Sequence, residues 1–296
     1  MPLCFYCKEH DSIENSHVIS KFISDWVKET SPTGYLRSIG NPNKREQDGE
    51  KQPILCPDCE QDFGIFENIY KKNLFSAIAN YRKSLPKVLN ISEHDKKFML
   101  SLVWRQLIRL LHFDLHDQIY PDELEFLEKK ADLIKQYIDS SEFYENPDFS
   151  IYLIPLHEDQ VKNLDLPLAA TANFYEYERL IFGDLSILDD FKQVWIMVKL
   201  PFHIIVCDLM KNTREWGVPE ILTNNELVIS EIKSVPQMLK NELKKRVFTQ
   251  AKEIYSSISD EQRAKIEIDI KKNIAKTGKE TGAQKSLTRS HVKRKH

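Results

Sequence analysis

The sequence predicts an α+β protein in which an N-terminal zinc-binding unit is followed by a helical segment, an antiparallel sheet and C-terminal helices. Three observations lead to this prediction. Two Cys-x-x-Cys pairs occur between residues 4 and 59. Apolar residues recur at helical spacing within residues 73–145. Five short runs rich in β-branched and aromatic residues follow within residues 149–232, separated by turn residues.

Composition limits the classes of protein that the chain can belong to. Its 296 residues suit one large or two ordinary domains, and a hydrophobic content of 41% is enough to form a core. No apolar run is long enough for a membrane helix, and the start "MPLCFYCKEHD" lacks the apolar segment of a signal peptide. We therefore expect a cytoplasmic protein without membrane contact. A net charge of −3 excludes a uniformly basic nucleic-acid-binding coat, so any such surface must be local.

The cysteines give the sharpest prediction. Cys4, Cys7, Cys56 and Cys59 form the two Cys-x-x-Cys pairs. In a reducing compartment such pairs are more often metal ligands than disulfides, and two pairs together supply the tetrahedral sulfur set that zinc prefers. A redox dithiol is the alternative, but that chemistry does not need a second pair. Cys207 lies in the apolar run "IIVC", which predicts a buried, inert thiol.

Residues 1–72 are predicted to form the zinc unit. Glycine, proline and asparagine are frequent in its middle, which favours a loop or an irregular hairpin, and a short helix is expected over about 19–28. A second helix should begin at Cys59 or just before it. Bringing both cysteine pairs to one metal folds Ser16 and His17 back beside that second helix. A knuckle, a hairpin and a helix in this order form a treble clef.

Residues 73–275 are predicted to form an α+β domain whose role the sequence does not assign. Helices are expected over 73–145, where Ser92 and Asp95 have the spacing of a capping box. Strands are expected over 149–232. The predicted strand segments are "FSIYLIPL", "ERLIFG", "QVWIMVKL", "FHIIVCDL" and "ELVIS". Two helices are expected within 234–275.

Residues 276–296 form a basic tail with seven lysines and arginines against one glutamate. Such a segment has too little apolar surface to offset the conformational entropy that ordering would cost, so we expect it to be disordered. It could still hold phosphate groups through counterion release.

The stretch "CFYC…SHVISKF…LCPDCE" resembles the cysteine-bearing HNH endonucleases. Their pattern is Cys-x-x-Cys, then an acidic residue followed by His, then Cys-x-x-Cys followed by Asn or His. The likeness covers about the first 70 residues and is greatest to a branch of HNH-like proteins described with mobile or defence loci. It implies a ββα-metal unit with a structural Zn²⁺ at the four cysteines. It also implies a Mg²⁺- or Mn²⁺-dependent nuclease.

The resemblance also implies roles for individual residues. His17 matches the general base, and Glu60 occupies the helix position of the divalent-ion ligand. Asn43, or alternatively Asn41, would be the middle Asn that orients the catalytic His. The sequence departs from the family at two places, because Ser16 replaces the acid before His17 and Glu60 replaces His or Asn.

The same loop carries basic residues that suit contact with phosphate. They are Arg37, Lys44, Arg45 and Lys51. A nucleic acid is therefore the expected partner, with DNA favoured over RNA, and a protein partner or a homo-oligomer is also compatible with the sequence. Two other functions remain open: a non-catalytic zinc adaptor for nucleic acid or protein, and a purely structural zinc knob.

Overall fold

A computed structural model describes residues 2–38, 40–114, 120–140, 147–168, 174–188, 192–211, 215–277 and 280–286. Helices and antiparallel sheets are both present, so the predicted α+β class is confirmed. Among the described residues, no helix combines the length and the apolar character needed to cross a membrane.

The N-terminal unit contains a two-stranded antiparallel sheet and two helices. In chain order the elements are β1 (Ser16–His17), α1 (Lys21–Glu29), β2 (Lys51–Gln52) and α2 (Pro57–Tyr70). Ser16 pairs with Gln52, and His17 pairs with Lys51. A loop over residues 30–50 connects α1 to β2. Both predicted helices are therefore present.

The helical segment is arranged around one buried helix. Its elements are α3 (Ser76–Ile78), β3 (Val88–Asn90), α4 (Glu93–Arg109) and α5 (Pro121–Asp139). The Ser92 hydroxyl accepts a hydrogen bond from the Asp95 N–H, and the Asp95 carboxylate accepts one from the Ser92 N–H, which confirms the predicted capping box. Every residue of α4 from Phe98 onward is buried, including polar ones. The helix therefore lies inside the protein, with no solvated face over this stretch.

The main sheet has four antiparallel strands in the order β4-β7-β6-β5. The strands are β4 (Ser150–Pro155), β5 (Phe182–Leu188), β6 (Gln193–Leu200) and β7 (His203–Asp208). Two short helices precede β5: α6 (Glu158–Asn163) and α7 (Tyr175–Arg179). Every residue of β4, β6 and β7 is buried. Cys207 is fully buried in β7, as predicted.

Two of the predicted strands differ from the structure. The run "ERLIFG" is not one strand, because Glu178 and Arg179 end helix α7 and β5 begins at Phe182. The run "ELVIS" gives β8 (Glu226–Val228), which pairs with β3 rather than with the main sheet. Short apolar runs fit either a helix end or a strand, and the sequence alone does not identify the partner of an isolated strand.

The C-terminal part contains α8 (Gln237–Leu243), α9 (Gln250–Ser257) and α10 (Asp260–Thr277). Residues 280–286 of the tail, for which the composition predicted disorder, pack against the protein in the structure. Ala283 and Ser286 are buried, and the Ala283 N–H donates to the Thr30 carbonyl at 3.0 Å. The Ser286 hydroxyl donates to the buried Glu178 carboxylate. Residues 278–279 and 287–296 lie outside the described residues.

These contacts predict that two truncations of the tail will differ in stability. A chain ending at residue 286 should unfold at about the same temperature as the full chain. A chain ending at residue 279 should be less stable by roughly 1–3 kcal/mol, because the buried Glu178 carboxylate loses a hydrogen-bond donor. Thermal unfolding followed by circular dichroism measures both. Equal melting temperatures for the two truncations would contradict the packing of residues 280–286.

Candidate functional site

Four cysteines of the N-terminal unit come together at one point. Cys4 and Cys7 lie in the first turn of the chain, Cys56 is the N-cap of α2, and Cys59 is in the first turn of α2. Their sulfur atoms all lie within 4.8 Å of one another, and the Cys7 and Cys56 sulfurs are 3.8 Å apart. Four sulfurs at a Zn–S distance of about 2.3 Å would be about 3.8 Å apart in a tetrahedron. The four cysteines can therefore hold a metal ion such as zinc.

The backbone around Cys7 favours the thiolate that a metal needs. The Cys4 N–H donates to the His10 carbonyl at 2.7 Å, and Lys8 has a positive φ of 63°, so the chain turns tightly here. Burial acts to raise the pKa of the Cys7 thiol. Hydrogen bonds from the backbone N–H groups of Glu9 and His10, and from neighbouring thiols, lower it to about 6. Thiolates rather than thiols bind metals, so this turn is suited to a ligand.

Ser16 and Glu60 meet between strand β1 and helix α2. The side chain of Ser16 is buried, and its hydroxyl donates to the Glu60 carboxylate. Glu60 directly follows Cys59 in the first turn of α2, so the cysteine cluster fixes its place relative to β1. The two positions at which the HNH resemblance implies metal ligands are therefore adjacent in space.

His17 lies beside a carboxylate that the sequence analysis had not selected. Its Nε2 atom is 2.8 Å from Oδ1 of Asp48, and Lys51 Nζ is 2.6 Å from Oδ2 of the same residue. Partial burial acts to raise the pKa of Asp48, yet hydrogen bonds from Lys51 and His17 hold it well below its usual value. An ionised Asp48 accepts from Nε2–H of His17. Nδ1, which makes no hydrogen bond to the described residues, then keeps its lone pair.

The sequence places Asp48 three residues before Lys51. In the structure Lys51 is the cross-strand partner of His17. A hairpin register that aligned His17 with Lys51 would have brought Asp48 close to the imidazole. The loop contains too many turn residues for that register to be derived from the sequence alone.

Arg105 of helix α4 lies beneath the site. Its side chain is almost fully buried, its Nη1 donates to the carbonyl of His17 at 3.1 Å, and its guanidinium lies 5.1 Å from the ring centre of Phe63. Its Nε and Nη2 have no hydrogen-bond partner in the described part of the chain. Burial lowers the pKa of Arg105, and the negative charges of Glu60 and Glu67 oppose that shift. Arg105 thus anchors β1 and places a positive charge near Glu60.

The structure gives the side chain of Asn43 a different partner from the one expected. Its amide donates to the Ser257 carbonyl at 3.1 Å, and its oxygen accepts from the Ser259 N–H at 2.9 Å. Both ends of its amide hold the junction between α9 and α10, and the catalytic role of Asn43 stays a prediction. The residue that contacts the imidazole of His17 is Asp48.

The predicted phosphate-binding residues have different environments. Arg37 donates to the Pro42 carbonyl and to Gln262, 3.3 Å away, and Arg45 lies 3.1 Å from Asp269. Both arginines therefore contact helix α10. Lys51 is bound to Asp48, while Lys44 is exposed.

No family model, curated protein or solved structure matches this chain. The geometry of the site is therefore the basis for its proposed function.

The cysteine cluster predicts a stoichiometric structural metal. Purified protein should contain about one equivalent of zinc, and Cys56→Ser should lose it and unfold the N-terminal unit, because metal binding in such sites contributes directly to folding. Elemental analysis and circular dichroism measure the two effects. Cys207→Ala is the control, since this cysteine is buried in the sheet and should leave the zinc content unchanged. Full zinc content in Cys56→Ser would exclude the four-cysteine site.

The buried contacts of Arg105 predict that its removal destabilises the protein. Arg105→Ala should lower the free energy of unfolding by roughly 1–3 kcal/mol, because it leaves the His17 carbonyl without this donor and removes the contact of the guanidinium with Phe63. The exposed Arg82 is the control, and Arg82→Ala should change stability by no more than about 0.5 kcal/mol. Urea unfolding measures both variants. A similar small effect for both would mean that Arg105 is solvated.

Proposed function

We propose that the N-terminal unit is a zinc treble clef of the HNH type and that the protein is a metal-dependent endonuclease that hydrolyses phosphodiester bonds. One observation carries the proposal. Ser16 of β1 is hydrogen-bonded to Glu60 of α2, next to the four cysteines, and His17 follows Ser16 directly. The closeness of strand β1, helix α2 and the cysteine cluster supports the proposal.

His17 acts as the general base in this proposal. Asp48 accepts from its Nε2–H and fixes the tautomer, which leaves Nδ1 to take a proton from the attacking water. The His17 side chain is 18% exposed, so water can reach part of the imidazole. Arg105 holds the backbone of the same residue and acts as a positioning residue.

The donor set at Glu60 suits a hard divalent ion. Mg²⁺ is commonly bound by one or two carboxylates together with waters and substrate phosphates. Glu60 would supply the carboxylate and Ser16 a neutral hydroxyl to such an ion. When bound, Mg²⁺ or Mn²⁺ supplies positive charge at the scissile phosphate. In our proposal Glu60 must turn part of its carboxylate away from Ser16 to bind it.

A nucleic acid is the substrate of the proposed reaction, and we favour DNA. The exposed Lys44 and the partly exposed Lys51, on the loop and strand next to His17, suit contact with phosphate. The chain as a whole has a net charge of −3, so binding depends on this local surface. Such binding should weaken as the salt concentration rises.

A non-catalytic zinc adaptor is the second candidate function. It is favoured by the two departures from the HNH pattern, Ser16 in place of the acid and Glu60 in place of His or Asn. The engagement of Arg37 and Arg45 by helix α10 also favours it. An adaptor would bind nucleic acid or protein without cleaving either.

Cleavage of plasmid DNA in Mg²⁺ or Mn²⁺ distinguishes the two functions. His17→Ala should slow cleavage by about 10²- to 10⁴-fold, the usual cost of losing a general base, with its zinc content unchanged. The exposed His94 is the control, and His94→Ala should cleave like the original protein. Asp48→Asn should also slow cleavage, but by less, because the imidazole remains in place.

Substitutions at Glu60 test the candidate metal ligand separately. Glu60→Gln should weaken activation by the divalent ion, so that excess Mn²⁺ partly restores the rate, and Glu60→His should retain more activity than Glu60→Ala. If the original protein cleaves no nucleic acid with either ion, or if His17→Ala cleaves equally well, the nuclease proposal is wrong. The adaptor would then be the better explanation.

A further inference from the structure

Helix α10 contacts the loop over residues 30–50 through an anion site. The hydroxyl of Tyr35 donates to Oδ2 of Asp269 at 3.2 Å, and Nη2 of Arg45 donates to the same oxygen at 3.1 Å. The guanidinium of Arg45 lies over the ring of Tyr35, 4.4 Å from its centre, and Tyr35 itself is buried. Two donors are thus held in place around one carboxylate oxygen.

These two donors suit a phosphate oxygen as well as a carboxylate. Both acceptors carry negative charge and take short hydrogen bonds from guanidinium groups, and arginine is the residue most used for phosphate. Stacking on Tyr35 fixes the direction of the Arg45 side chain before any ligand arrives. Lys44 is exposed beside Arg45 in the sequence and adds positive charge to the same loop.

The hold of helix α10 on the loop is weak. None of the residues from Asp260 to Lys276 is buried, and Ile268 and Ile274 are exposed. The contacts of α10 to the loop include the bonds to Asp269 and the bond from Arg37 to Gln262. A partly exposed ion pair contributes only about 1 kcal/mol or less.

The helix is nevertheless kept close to the loop at both ends. Asn43 of the loop bonds the backbone at Ser257 and Ser259, just before α10 begins. After α10, Ala283 bonds the carbonyl of Thr30, at the start of the same loop. A helix tied at both ends remains near the anion site after its own contacts are broken.

We propose that Tyr35 and Arg45 form a binding site for a nucleic-acid phosphate, and that the Asp269 carboxylate fills this site until nucleic acid displaces helix α10. The inference rests on the proposed function only in taking nucleic acid as the ligand. The chain's own carboxylate then competes with substrate for the loop, so part of the binding free energy is spent on displacing the helix. A phosphate of the nucleic acid can accept hydrogen bonds from Tyr35 and Arg45 only after this displacement.

Binding of a labelled DNA duplex to the full chain, in buffer without Mg²⁺ or Mn²⁺, tests the proposal. Asp269→Asn should bind about two- to fivefold more tightly, as expected for loss of one competing ion pair. Glu267→Gln removes the same charge from an exposed position on the same helix and serves as the matched control. If Asp269→Asn gains no more affinity than Glu267→Gln, the proposal is wrong.

A double variant assigns the gain to Arg45. Adding Arg45→Gln to Asp269→Asn should abolish the gain in affinity, because the released phosphate site has lost its guanidinium. Hydrogen exchange at the amides of residues 260–277 should also become faster when DNA is added to the original protein. A gain that persists without Arg45, or unchanged exchange in α10, would contradict displacement by phosphate.

This experiment separates the inference from the nuclease proposal because it requires no cleavage. If no variant cleaves DNA but Asp269→Asn binds it more tightly through Arg45, the inference stands and the nuclease proposal fails. If cleavage depends on His17 and Asp269→Asn binds like Glu267→Gln, the reverse holds.

Discussion

The meeting of four cysteines at one point is the constraint on which the N-terminal unit depends. Strands β1 and β2 have two residues each and would not pair stably by themselves. The first cysteine pair precedes β1, and the second begins helix α2, so closing the cluster brings strand and helix together. The contacts between Ser16 and Glu60 and between His17 and Asp48 follow from that closure.

Helix α4 connects this unit to the sheet through buried arginines. Arg105 holds the carbonyl of His17, and Arg109 bonds the carbonyl of Gly183 at 3.1 Å while lying 3.5 Å from the carboxylate of Glu50. A Cβ atom at Gly183 would lie 2.1 Å from the amide of Gln106, so a side chain here would displace the group that accepts from Arg109 Nε. Polar contacts within the core therefore join strand β1, helix α4 and the edge strand β5.

Local patterns predicted the parts of the structure that depend on a few neighbouring residues. The cysteine spacing gave the cluster, and the spacing of Ser92 and Asp95 gave the start of α4. Arg105 and Arg109 share one face of α4 at four-residue spacing, a pattern typical of a solvated or salt-bridged face. The structure buries both arginines, because α2 and the sheet cover that side, and it pairs Arg109 with Glu50 and Asp114. Packing between distant segments has no signature in local spacing, which is why Asp48 and Arg105 were missed.

The chain remains helical across residue 72, and this bears on whether the N-terminal unit could be transferred to another protein. Helix α2 runs through a π-helical turn, Lys71–Phe75, into α3 without a linker. Just before this turn, the Tyr70 hydroxyl lies 2.7 Å from Nε2 of the buried His203 in β7. The N-terminal unit is therefore not a cassette that recombination could transplant intact. A host protein that received it would also need to supply the packing surfaces that α4 and β7 provide.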